Sequence, residues 1–477
     1  MKVLVYHWTQ DNFPKPRGGG IPVYQRDLVS KLLDFDEIQL SVLSSGSSDL
    51  YDFLRPATRI ESLPSSTSGP KRFGLINSPI PSPAALSFGN FLSLRHSETA
   101  EIFFDFVIKH GFNVIHFNHF EGLPAEVLTI KRHLPDIKIL FSMHDYYSLC
   151  PQVHFLYQGK ELCEDSQSGQ KCQSCVQVDT QNFSVEKWRT DRLFRLIDKM
   201  GLNPVGRLSM AIKDLAKKIV LRRNETNQHL TPPEETFREW HQIVDLINEH
   251  VDYVLPVSDR ARQIAIRQGI KPDLLNVLRL GKKEAVHFSE CVPPNRPFIM
   301  ENDCLTLVYL GYMSIHKGFF FLLEAFERMP SALSKRINLV IAAKSPRDPS
   351  VLNRLMALRT KLNQLTHHDG YTHDQLDEIL KPGSIGLLCH LWEETGPLTA
   401  WEMHCRRIPF LTSDLGGGPE ISGCKAMVYK HGNVQEFIEK IKMILDGKIT
   451  YEEYWKDSIA PITVDEHCRE LLGLYRS

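Results

Sequence analysis

The chain runs to 477 residues with a net charge of −1, 42% hydrophobic and 24% charged. That length exceeds one ordinary core and implies two domains, while the balanced charge gives no global pull toward nucleic acid. No apolar run approaches the roughly 18 residues that span a bilayer, and the apolar start at residues 1–7 is too short for a signal peptide. A cytoplasmic location is the expectation, with peripheral contact at the inner face of the membrane left open.

In chain order, residues 2–7 read as a buried first strand and Gly18-Gly19-Gly20 opens a loop. Residues 23–33 carry helical apolar spacing, and 38–43 return to strand. Residues 114–117 and 137–143 are further strands, separated by a helix-like segment. Strands alternating with helices predict a parallel sheet covered on both faces. Residues 176–245 break that pattern. They are helical and basic, with Arg207, Lys213, Lys217, Lys218, Arg222 and Arg223, and they read as an insertion.

From residue 254 the alternation resumes. Strands are predicted at 254–257, 305–310, 337–342, 385–389 and 408–412, and helices at 319–329, 374–380 and 398–405. Residues 291–297, with three prolines, read as a surface loop. Residues 464–475 form an amphipathic helix. The expected fold is α/β: two doubly wound Rossmann-like domains facing a central cleft, with a Cys-rich and helical insertion in the first. The first domain spans 1–254, with the insertion at about 150–245 and the cysteine cluster at 150–175. The second spans 255–454, and residues 455–477 are a C-terminal helix expected to return to the first. Ligands of open α/β sheets bind beyond the carboxyl ends of the strands, so the loops after strands are the ones to read.

The most informative of these is residues 392–402, where Glu394 and Glu402 stand with seven residues between them across a strand-to-helix junction. Gly396-Pro397 breaks the chain, and the backbone N–H groups beyond it open a helix, a ready site for phosphate. A ligand carrying hydroxyls and phosphates, such as a nucleotide sugar, suits the pair. Lys317 lies between a strand and a helix, where a lone cation is disfavoured unless an anion is present. His144 directly follows a strand, as either a sugar contact or a structural histidine. Gly18–Gly20 permit close approach to a phosphate, or form a plain surface loop. Asp34-Phe35-Asp36 reads as turn chemistry rather than a metal motif.

Ten cysteines occur, four of them clustered as Cys150-x12-Cys163-x8-Cys172-x2-Cys175. The spacing matches a structural zinc site of four thiolates. Disulfides and free thiols stay open as alternatives. The basic insertion suits anionic lipid or a lipid-linked acceptor, or a solvated helix face.

Taken together, these motifs resemble the retaining GT-B glycosyltransferases whose donor domain carries an E-x7-E motif, of the family 4 type. The matching pieces are G-G-G-I-P-V-Y at 18–24, I-H-F-N at 115–118, M-H-D at 143–145, P-V-S-D-R at 256–260, L-G-Y-M-S-I-H-K-G at 310–318, E-E-T-G-P-L-T-A-W-E at 393–402 and G-G-G-P-E at 416–420. The resemblance covers nearly the whole chain apart from residues 176–245.

The resemblance implies that Glu394 contacts the donor sugar and Glu402 the nucleotide ribose. Lys317 would bind phosphate, and His144 would stand beside the transferred sugar. Gly19 and Gly20 would close over the donor phosphate, with Gly396, Leu398 and Thr399 holding the diphosphate. Where members of the family often carry arginine, this chain has Tyr312, and Arg260 or Arg279 is the candidate replacement. The implied activity is transfer of a hexose, with retention, from a nucleotide-diphosphate sugar to a hydroxyl of a glycan or lipid-linked acceptor, in surface polysaccharide or glycolipid assembly. No cofactor is expected for catalysis, and zinc only as a structural ion. The rivals are an epimerase or hydrolase of nucleotide sugars with the same fold, and a non-catalytic sugar-binding protein.

Overall fold

The structure is a computed structural model that describes residues 1–8, 20–47, 57–65, 69–80, 94–165, 169–175, 234–288, 298, 303–346 and 348–477. Gly18, Gly19, Cys291 and the basic run 207–223 lie outside the described residues. Two compact units emerge: Met1–Leu255 with Ala265–Leu275, and Pro256–Ile264 with Asn276–Ser477.

The first unit contains β1 (Lys2–His7), α1 (Ile21–Leu32), β2 (Gln39–Ser47), β3 (Arg59–Leu63), β4 (Lys71–Ile76), α2 (Ser97–His110), β5 (Val114–Phe117) and β6 (Lys138–Met143). A small hairpin, β7 (Leu156–Tyr157) with β8 (Glu161–Leu162), leads to α3 (Gln170–Cys175), and α4 (Glu234–His250) precedes β9 (Tyr253–Pro256). Strand β1 is apolar at nearly every position because Val3 to His7 are all fully buried, as a strand covered on both faces must be. The sheet order is β3-β4-β2-β1-β5-β6-β9. Only β3 is seen to pair antiparallel, on β4; the paired strands from β4 to β6 run parallel. Without β3 the order follows the doubly wound 3-2-1-4-5-6 pattern, with its reversal between β1 and β5.

α5 (Asp259–Arg267) begins in the second unit and ends in the first; the second unit then continues with β10 (Leu305–Tyr312), α6 (Phe319–Arg328), β11 (Ile337–Lys344), β12 (Gln364–His368), β13 (Ile385–Leu388), α7 (Leu398–Cys405), β14 (Phe410–Ser413), α8 (Gly418–Ser422), β15 (Val428–Tyr429) and α9 (Val464–Arg476). The order β12-β11-β10-β13-β14-β15 is parallel throughout and again doubly wound, reversing between β10 and β13. Phe319, Phe326, Phe437 and Tyr454 belong to one apolar core, and Trp401, Met403 and Phe410 to another.

β3, β4, β7, β8, β12 and β15 are absent from the sequence reading; β4 reads KRFGLI, an inner strand whose basic start and glycine interrupt its apolar run. β3 reads RIESL and β12 reads QLTHH, both edge strands with few fully buried side chains, and β15 has two residues. The C-terminal helix α9 groups with the second unit rather than the first. Its start is pinned there: His467 Nδ1 bonds the Arg279 carbonyl at 2.7 Å, and Thr463 bridges Lys282. Asp34 and Asp36 lie in the turn between α1 and β2.

Candidate active site

In the second sheet the loops after β10 and β13 flank the reversal point, where ligands of such sheets bind. Gly318 closes the first loop at φ 72°, and a Cβ there would lie 1.6 Å from the Cys389 carbonyl oxygen. Only glycine lets this loop seat against the end of β13. Leu391 N–H also donates to the His316 carbonyl at 2.9 Å. The two loops are thus stapled together, and Lys317 from one pairs directly with Glu394 Oε2 from the other. The Lys317 ammonium also lies 5.3 Å from the centre of the Trp392 ring.

The adjacent glutamates have separate partners. Glu393 accepts from Arg260, with Nε at 2.9 Å, and from the Gly416 N–H at 2.9 Å. It braces the loop and leaves Glu394 to face Lys317. Gly417 N–H donates to the Glu394 carbonyl at 2.8 Å, and Ser258 Oγ–H to the Thr395 carbonyl at 2.5 Å. Gly396 approaches so closely that a Cβ would come 2.8 Å from Val257 Cγ2.

Burial pushes the Glu394 carboxyl up, but Lys317 and neighbouring histidines more than offset this and hold it below the ordinary value. Glu394 is therefore a carboxylate at neutral pH. His390 Nε2 stands 3.6 Å from it, and burial, opposed by Glu394, drives His390 down to about 3, so its ring is neutral. Glu402 is buried on α7, 3.6 Å from Lys282 Nζ. Leu398 and Thr399 open that helix after Pro397, so their N–H groups have no partner within the helix. Tyr312 is exposed. Arg260 and Arg279 are each engaged by a carboxylate, Glu393 and Glu420 respectively, the latter at 3.0 Å.

In the first unit Gly20 caps α1 after the β1 loop, while Gly19 lies outside the described residues. His144 follows β6 and is buried. Its Nε2 bonds Asn118 Oδ1 at 3.2 Å, and Asn118 in turn donates to Gln25 at 2.6 Å. The Tyr24 ring lies 4.9 Å from the His144 ring. Burial, with His7 nearby, holds His144 well below its ordinary value, so it is neutral. Asp145 pairs with His119 Nε2 at 2.8 Å. Burial pushes His119 down, yet Asp145 and Glu121 raise it to about 9. Its Nδ1, however, already accepts the Glu121 N–H at 2.9 Å, so a proton there must break that bond.

Residues 299–458 match the family model described as "Glycosyl transferases group 1". That match lies within the second unit. The chain is a transferase enzyme with the GT-B fold of two Rossmann-like domains, a fold it shares with several solved structures. The Anabaena HepE protein, solved in complex with UDP and glucose, is 14% identical with a TM-score of 0.55, over 100% of both chains. Sucrose-phosphate synthase from Thermosynechococcus elongatus is 13% identical with a TM-score of 0.55, over 100% of this chain and 98% of that one. The lipopolysaccharide outer core galactosyltransferase WaaB is 10% identical with a TM-score of 0.54, over 99% of each chain. A comparison with curated proteins finds no match.

Within this glycosyltransferase the structure brings Lys317 to Glu394, and groups His144 with Asn118 and Gln25. It adds His390 and Lys282, and it gives Glu393, Arg260 and Gly416–Gly417 a bracing role that no spacing rule singles out. Arg260, Glu393 and the glycine triplet at 416–418 lie in motifs visible in the sequence, whereas His390 and Lys282 carried no signal there. Cys150, Cys163, Cys172 and Cys175 line one small cavity in the first unit. The described cysteines are free thiols. Among the described residues no group of three or more His, Cys, Asp or Glu side chains could hold a metal ion as it stands. Burial pushes the Cys150 thiol up to about 12 and raises the other three, so all are protonated. Among the described residues no helix is long and apolar enough to cross a membrane.

Proposed function

We propose that the enzyme moves a hexose from a nucleotide-diphosphate sugar to a hydroxyl of a glycan or lipid-linked acceptor, with retention of configuration. The observation that carries this reading is the Lys317–Glu394 pair at the reversal point of the second sheet. One loop there offers an ammonium for a departing diphosphate, and the other a carboxylate for sugar hydroxyls. HepE, which shares the fold, binds UDP and glucose, and this supports a nucleotide-sugar donor here.

The chemistry asked of the protein is electrostatic. As the glycosidic bond to phosphate breaks, negative charge grows on the leaving diphosphate and positive charge on the anomeric carbon. Lys317 turns from Glu394 toward the phosphate, with the N–H groups of Leu398 and Thr399 beside it. Such preorganised donors act where charge develops. Glu394 keeps its negative charge, because its pKa is held low, and accepts hydrogen bonds from the sugar. His144, neutral, has a ring nitrogen set by Asn118 for a hydroxyl rather than for ion pairing. The acceptor hydroxyl enters on the face the diphosphate leaves.

The test is a thermal-shift panel of nucleotide sugars followed by transfer assays with the best binder. A ligand at about 100 times its dissociation constant adds about 2.7 kcal/mol of stability. NMR of the product then reads the anomeric configuration. Inversion, or epimerised or merely hydrolysed donor, overturns the reading.

The cysteine cluster carries a separate proposal, a structural zinc ion. Backbone N–H groups of Gln152 and Phe155 already face the Cys150 sulfur, and that of Gln158 faces Cys175 at 3.1 Å. Such donors favour thiolates, the form that zinc binds. Binding requires the sulfurs to draw closer than they stand.

A further inference from the structure

Glu402 is 4% exposed, and its Oε2 has no hydrogen-bond partner among the described residues. A buried carboxylate oxygen without a donor is costly and asks for a ligand. The other oxygen, Oε1, faces two nitrogens without a hydrogen bond to either: Lys282 Nζ at 3.6 Å and His373 Nδ1 at 3.7 Å. Lys282 is itself 5% exposed, which is rare for lysine unless it is paired.

The backbone delivers this lysine deliberately. Its N–H donates to the Ile462 carbonyl at 2.9 Å, and a bridge joins it to Thr463. Gly281 before it has no room for a side chain, since a Cβ would meet the Thr463 carbonyl oxygen at 2.7 Å. The Glu402 carbonyl is fixed as well, by Arg406 Nη1 at 3.1 Å. Both ends of the pair are therefore anchored, with Oε1 facing the lysine and the buried Oε2 left without a hydrogen-bond partner among the described residues.

We infer that Lys282 is a positioning residue for Glu402. It holds Oε1 by charge and turns Oε2 toward the ribose hydroxyls of the donor nucleotide. This rests on the proposed nucleotide-sugar reading, with Glu402 as the ribose contact that the resemblance implies. The lysine does not touch the ligand; it acts through the carboxylate. Removing it takes away the ammonium that faces Glu402 and leaves the carboxylate buried near His373 and Tyr371, no longer aimed.

The experiment is calorimetric titration of the full chain with UDP, GDP and ADP, each beside its 2′-deoxy and 3′-deoxy forms. A hydrogen bond to a charged acceptor is worth about 1.5–3 kcal/mol, so the wild type is expected to lose about 10- to 100-fold in affinity when the hydroxyl is missing. In Lys282→Met this preference shrinks to about threefold or less, while Lys282→Arg retains it. If Lys282→Met proves unfolded, the neutral pair Lys282→Met with Glu402→Gln serves, and it should match Glu402→Gln alone in showing no ribose preference. A purely structural lysine would lower thermal stability and weaken ribo and deoxy forms alike, which overturns the inference and leaves the function standing. Failure of every nucleoside diphosphate to bind overturns the nucleotide reading and the inference with it.

Discussion

In a Lys317→Ala variant the Glu394 carboxylate loses the ammonium that holds its pKa down. Opposite unit charges about 4 Å apart gain about 4 kcal/mol at an effective dielectric near 20. The Lys317 side chain is 23% exposed and that of Glu394 12%, so solvent screens part of this and about 2–3 kcal/mol is expected at pH 7.5. His390 cannot stand in, because its ring is neutral there. In the wild type a depressed carboxyl pKa gives stability that is present above the ordinary value and is lost as pH falls through the folded one. The variant lacks that term, and burial now pushes Glu394 up. Its deficit should therefore be largest at pH 7.5 and narrow toward pH 5, as the carboxyl takes up a proton. Urea unfolding of both proteins across this range measures the gap. Adding Glu394→Gln should recover part of the loss and remove its pH dependence. Sugar transfer by Lys317→Ala should fall about 10²- to 10³-fold, the usual effect of one lost transition-state donor. A gap that is flat with pH, additive single and double variants, or unchanged transfer would refute the reasoning.

Gly318→Ala places a Cβ against the Cys389 carbonyl at a positive φ, and should cost about 2–4 kcal/mol in unfolding experiments and displace Lys317, lowering donor affinity. Burial takes His390 and His404 to about 3 and His467 to about 4, all in the second unit. The unfolded chain binds protons at these sites first, so their stabilisation is full above about pH 6.5 and is lost as pH falls. At about 1.4 kcal/mol per group per pH unit, going from pH 7.5 to 5.5 should cost the second unit about 4 kcal/mol, read from denaturant midpoints. Metal analysis of the purified chain is expected to find close to one zinc, abolished by Cys172→Ser with Cys175→Ser; well under one in the parent sinks the zinc proposal.

Much of this molecule was legible in residue order because its central strands are buried on both faces. Continuous apolar runs such as residues 2–7, 114–117 and 305–310 admit few other readings, and Gly-Pro at 396–397 marks where α7 begins. The edges were not legible, since an edge strand such as RIESL faces water and carries no apolar run. The same division holds in the site. Glu394, Lys317 and His144 stand out in the sequence because they follow strands, and Glu402 because it lies on the helix that comes next.

Order along the chain determined the two doubly wound units and which loops follow their strands. It singled out Glu394 by its spacing from Glu402 but gave no partner to Glu394 or to its chemically identical neighbour Glu393. Only the tertiary structure assigned those partners, by setting Arg260 and Gly416 on Glu393 and Lys317 on Glu394. Nor could order along the chain join Lys282 to Glu402 across more than a hundred residues, because charge pairing acts through space while spacing rules act only along one element.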